Sequence, residues 1–137
     1  MKSLSGNISG SFPAYQKALE IFRISRAVAS YFSGDKHVLE MNISSSSQHR
    51  LAGFLVTDSL QLAPGVASAL SEGNQQTKLK RLKSLRKAVL TLKIRCRKLE
   101  FSGIKETEFV HLLRKEIAQF EKLITDWFSQ IENSQKN

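Results

Sequence analysis

Six residues, Leu82, Leu85, Val89, Leu92, Cys96 and Leu99, recur at steps of 3-4-3-4-3. This is the heptad seam of an α-helix packed on other helices. A strand turns alternate side chains to opposite faces and cannot gather these six on one side. The seam predicts a helix from about Gln75 to Phe101, stopped by Ser102-Gly103. Three further helices follow from the same reasoning. The first starts at Phe12-Pro13, where a first-turn proline loses no hydrogen bond. It carries Tyr15, Ala18, Leu19, Phe22, Ala29 and Phe32 three or four apart and ends at Gly34. The second runs from about Gln48 to Leu70, with N-caps on offer in Ser44–Ser47, and ends at Glu72-Gly73. An interior proline removes a hydrogen bond at a cost of roughly 3 kcal/mol, so a kink or a break is expected near Pro64. The fourth begins near Lys105, with Glu106 and Glu108 at its positive end. Its stripe is Leu113, Ile117, Phe120, Ile124, Trp127 and Ile131. Four amphipathic helices joined by short turns predict an all-α, antiparallel up-down four-helix bundle.

The 137 residues suit one domain at 12–132, between a Ser/Gly/Asn-rich tail at 1–11 and a polar tail at 133–137. Only 2 Pro and 7 Gly punctuate the chain, too few for a many-stranded sandwich or barrel. No apolar run approaches the roughly 20 residues that span a bilayer. The opening residues carry one Lys and no apolar stretch, unlike a secretory signal. The lone cysteine cannot form an internal disulfide and fits a reducing compartment, so the expected location is cytoplasmic.

The net charge of +9 comes from one segment. Ten cations (Lys78, Lys80, Arg81, Lys83, Arg86, Lys87, Lys93, Arg95, Arg97 and Lys98) lie within residues 78–98, with no Asp or Glu among them. On the heptad, Lys80, Lys83, Lys87, Arg97 and Lys98 fall on the outer face. Arg81, Arg86, Lys93 and Arg95 fall beside the seam, where Glu106, Glu116, Glu121 or Asp126 of the fourth helix could neutralise them. Five like charges then remain, and a polyanion would relieve their mutual repulsion. These nine cations are the candidate contacts to the phosphates of RNA or DNA. With no aromatic interleaved among them, backbone contacts are expected rather than sequence reading.

Catalytic patterns are missing. Glu108-Phe-Val-His111 fits a Glu-x-x-His metal motif, but the second copy that a di-metal bundle needs is absent. Cys96, at a seam position, is expected to be an inert buried thiol. There is no Gly-rich phosphate loop, Gly-x-Ser-x-Gly or Cys-x-x-Cys. The chain reads as a non-enzyme without metal or cofactor. A basic amphipathic helix can lie on anionic lipid, but here its apolar face is committed to the seam, which argues against a membrane partner. Leu90 and Ile94 lie off the seam, and Leu112, Leu123 and Phe128 flank the fourth helix's stripe. That surplus is more than a monomeric bundle buries, so these five are the expected contacts of a homo-oligomer.

Tyr15-Gln-Lys-Ala-Leu-Glu-Ile-Phe22 resembles the opening of the four-helix bundle proteins encoded in 23S rRNA intervening sequences. The Glu72-Gly73 pair, with Pro64 upstream, is similar to a Pro…Glu-Gly segment of that family. Residues 78–88, Leu92–Leu99 and Ile124-Thr-Asp-Trp127 look more like the related accessory variability protein, Avd, of diversity-generating retroelements. The resemblance implies a barrel-like homopentamer of basic bundles without catalytic activity. Its retroelement branch implies RNA binding beside a reverse transcriptase partner. Its other branch leaves open a protein-interaction module with an acidic protein partner and no nucleic-acid role.

Overall fold

The computed structural model describes residues 12–33, 46–101 and 107–136, and all of its regular structure is helical. The helices are α1 (Pro13–Ser33), α2 (Ser47–Leu60), α3 (Leu62–Ser71), α4 (Gln75–Phe101) and α5 (Thr107–Lys136). The tail at 1–11, the Gly34 cap, the Ser102-Gly103 stop and the start near Lys105 with Glu106 lie outside the described residues.

Local chemistry accounts for each boundary. Pro13 opens α1, and the Phe12 carbonyl accepts the first helical bond from Gln16 N–H at 3.0 Å. Of the available serines, Ser46 caps α2, its hydroxyl accepting from His49 N–H. Asn74 caps α4: its side-chain oxygen accepts from Thr77 N–H at 2.9 Å, while its own N–H donates to the Glu72 carboxylate at 3.0 Å. The disruption expected near Pro64 is a break, and it falls at Gln61. A proline ring clashes with the carbonyl four residues earlier, here that of Leu60, so the disruption falls one turn upstream. Pro64 itself sits in the first turn of α3, where a missing N–H is harmless, and Gln61 bridges the helices by accepting from Gly65 N–H at 3.1 Å.

The helices close into a ring. α1 packs on α2 and α3 to one side and α5 to the other, and α4 packs on the same neighbours from the opposite side. Among the described residues, the backbones of α1 and α4 stand diagonally across the core rather than side by side, as do those of α5 and the α2–α3 pair. At one end Phe12 meets Trp127 edge-on at 4.9 Å, and at the other Tyr31 meets Phe109 at 5.4 Å. Lys17 ties α1 to α5 between these ends through Glu116 and Gln119.

All six seam residues of α4 are buried. They pack with Ala14, Ala18, Ile21 and Val28 of α1, Leu55 of α2, Leu62 and Val66 of α3, and a row on α5 from Val110 to Phe128. Two registers differ in part from the sequence expectation, which named the buried Ala18 and Ala29 of α1 but also residues beside its seam. In α1 the buried stripe runs through Ala14, Ala18, Ile21, Ser25 and Val28, while Tyr15, Leu19 and Phe22 cover its flanks. Small side chains at the seam let neighbouring helices approach, and the large ones fit better beside it. In α5 the seam ends through Phe128, which is 8% exposed, and not through the half-buried Trp127. Close approach is also plain at Gly65, where a β-carbon would stand 2.8 Å from Cδ2 of Leu85. No helix among the described residues is long and apolar enough to cross a membrane.

Candidate nucleic-acid interface

The seam fixes where every other residue of α4 points. At 3.6 residues per turn, Lys80, Lys83, Lys87, Ile94, Lys98 and Phe101 fall within an arc of about 60° opposite the buried face. Leu90 and Arg97 border that arc. From Lys80 to Phe101 this face runs about 32 Å.

Three of the nine candidate cations are held by carboxylates. Arg81 reaches Glu72 at 3.0 Å and donates to the Ser68 carbonyl at 3.0 Å, fastening α4 to α3. Lys93 meets Glu121 of α5 at 3.0 Å. Arg95 donates through Nε to Asp58 of α2, with its guanidinium 4.5 Å from the Phe54 ring centroid. Of the carboxylates expected from the fourth helix, only Glu121 takes a cation of α4. Glu116 is held by Lys17 and Asp126 by Lys122, while Glu106 lies outside the described residues. Arg86 has no carboxylate partner among the described residues and rides over the Phe128 ring at 5.5 Å.

The other five, Lys80, Lys83, Lys87, Arg97 and Lys98, are exposed and form no ion pair among the described residues. Lys83 alone makes a charge contact, 5.9 Å from the Phe128 ring. The nine cations thus divide into three carboxylate-bound anchors, one resting on an aromatic ring, and five with their charge turned outward.

A second basic feature adjoins them. Lys93, Arg97, His111, Arg114 and Lys115 line a groove between α4 and α5. Glu100 holds Arg114 at 3.1 Å and lies 3.9 Å from His111, whereas Arg97 and Lys115 form no ion pair among the described residues. Arg114 and Lys115 do not show in the order of charge along one helix, because the groove is built across two. Phe101, absent from the expected site, is 83% exposed. Phe101 stands one heptad beyond Ile94, so the spacing that defined the seam could have found it.

The five expected oligomer contacts separate in the structure. Leu90, Ile94 and Leu112 are 55%, 48% and 42% exposed. Leu123 is half-buried against the core, and Phe128 belongs to it. Phe128 needs no second subunit, because the α5 seam turns it inward beneath Lys83 and Arg86.

Two other residues complete the chemistry. Burial pushes the Cys96 thiol up to about 12, assisted by the nearby Glu100 carboxylate and opposed by Arg114. It is a packing residue that holds its proton at neutral pH. Glu108 and His111 are both exposed, and no three His, Cys, Asp or Glu side chains among the described residues converge on a metal-sized site. No family model, curated protein or solved structure matches the chain.

Proposed function

We propose that this chain is a non-catalytic, oligomeric nucleic-acid-binding scaffold, built as an antiparallel up-down four-helix bundle and working in the cytoplasm. The antiparallel arrangement is supported by contacts that join the earlier part of one helix to the later part of a neighbour: Phe12 with Trp127, Arg81 with Glu72, and Arg114 with Glu100. The observation that carries the functional reading is the outward row of Lys80, Lys83, Lys87, Arg97 and Lys98, without a carboxylate among the described residues to neutralise it. A row of that sign and length suits the phosphates of RNA or DNA. The resemblance to Avd adds RNA as the substrate, a reverse transcriptase as the protein partner and five as the number of subunits. For the subunit contact we propose the side formed by α1 and α5, where exposed Tyr31, Phe109 and Leu112 offer apolar surface away from the cations.

Light-scattering mass with and without a structured RNA tests this reading. Five neutralised phosphates per chain give a salt slope of about −4.5 on paired RNA, a loss of about 3,000-fold between roughly 50 and 300 mM salt. The expected result is a multimer near five chains that holds RNA at the lower salt and releases it at the higher. A multimer indifferent to RNA at both salts overturns nucleic-acid binding and leaves an acidic protein as the partner. A monomer overturns the scaffold.

A further inference from the structure

The outward cations of α4 share their face with apolar side chains. Leu90 and Ile94, 55% and 48% exposed, lie between Lys87 and Arg97, and Phe101, 83% exposed, lies one heptad past Ile94. Lys83, Lys87, Leu90, Ile94, Arg97 and Phe101 follow one another at steps of 4-3-4-3-4, a second stripe turned away from the core. Holding three large apolar groups in water is unfavourable by about 25 cal/mol per Å² of apolar surface. Whatever occupies this face therefore has to offer apolar surface as well as negative charge.

A double helix offers phosphates and the polar edges of its bases but not their apolar faces, which are stacked inside. A second copy of this chain offers the apolar surface with the wrong sign of charge. Two α4 stripes laid together antiparallel would set Lys83 and Lys87 against Arg97 and Lys98. A single strand offers both, since its phosphates are accompanied by unstacked base faces, and every base has a π-face that an aromatic ring can meet. We infer that the outer face of α4 is a platform for single-stranded nucleic acid. Phe101 stacks on a base, Leu90 and Ile94 receive further base faces, and Lys83, Lys87, Arg97 and Lys98 hold the phosphates between them. The inference rests on the nucleic-acid reading proposed above and specifies the form of nucleic acid that the face accepts.

Fluorescence anisotropy tests it on the full chain, with an oligouridine of about 20 nucleotides and an RNA duplex of equal length at roughly 50 mM salt. Stacking contributes about 1–3 kcal/mol per base, so Phe101→Ala should weaken oligouridine binding by about 5- to 150-fold. Duplex affinity should change less than about twofold, and Phe101→Tyr should keep single-strand affinity. Leu90→Ser/Ile94→Ser should weaken the single strand while leaving the light-scattering mass unchanged. Phe101 is too exposed for its truncation to unsettle the core, and circular dichroism of each variant confirms folding. Equal affinity for strand and duplex, insensitive to Phe101→Ala, overturns the platform and leaves nucleic-acid binding intact. Absence of binding to either probe overturns nucleic-acid binding, and the platform with it. A changed mass in the Leu90/Ile94 variant overturns the platform by assigning the stripe to a subunit contact.

Discussion

Arg95 distinguishes an anchor from a ligand contact, although in sequence it is one more cation in a basic helix. Its Nε donates to Asp58, its guanidinium rests on the Phe54 ring, and the two charged side chains are 26% and 29% exposed. A hydrogen bond between charged groups contributes about 1.5–3 kcal/mol and a partly exposed cation–π contact about 0.5–1. Solvent screening reduces the first toward its lower end. Arg95→Met keeps the aliphatic stem, removes the charge and leaves Asp58 without its partner, for an expected loss of about 2–3 kcal/mol. Unfolding entropy near 2.1 cal/mol/K per residue over a chain of this length converts that to a Tm lower by about 7–10 °C. Thermal unfolding followed by circular dichroism measures the shift. Asp58→Asn should fall by a similar amount, and the double variant by less than the sum of the two. RNA affinity of Arg95→Met, measured well below its Tm, should stay within about twofold of the parent. An unchanged Tm combined with a large loss of affinity would refute the division of the nine cations into anchors and outward charges.

Other outcomes follow from the core. Leu92, fully buried on the α4 seam, should cost about 2–5 kcal/mol on truncation to Ala, read from urea unfolding. Gly65→Ala should be nearly neutral, because the gain in helix propensity of about 1 kcal/mol offsets a small shift of the Leu85 side-chain end. Gly65→Leu, which Leu85 cannot accommodate, should lose about 1–3 kcal/mol in the same assay. Cys96 should resist iodoacetamide in the folded protein and react once unfolded. Its folded pKa is raised from 9.0 to about 12, so the unfolded thiol ionises first. The associated stability is intact below about pH 9 and is lost as pH rises toward 12, and the alkaline unfolding of Cys96→Val should lack this component.

The helix with the strictest pattern was also the most legible. Leu82 to Leu99 named the buried face of α4 without error, because six apolar residues at heptad spacing outweigh the mixed basic and apolar stripe on the opposite face. In α1 the expected Ala18 and Ala29 are indeed buried, but Tyr15, Leu19 and Phe22 lie beside the seam, which passes instead through Ala14, Ala18 and Ile21. Side-chain size predicts apolar surface better than it predicts which residues sit at a close helix contact. Pro64 announced a disruption, and its steric effect on the Leu60 carbonyl moved that disruption to Gln61. At the candidate site the sign and length of the cationic row were readable from charge order alone. Its partners were not, since pairing Arg95 with Asp58 and Arg81 with Glu72 depends on the register between helices. The groove toward Lys115 was hidden for the same reason.

The outward lysines of α4 are assigned to phosphate contacts. The direct test is the slope of log affinity against log salt for a single-stranded RNA, in the parent and in Lys83→Gln/Lys87→Gln. Each phosphate contact on a single strand contributes about 0.7 to that slope. The account predicts a decline from about 3.5 to about 2.1 in magnitude, with unchanged thermal stability. Equal slopes in the two proteins would contradict it.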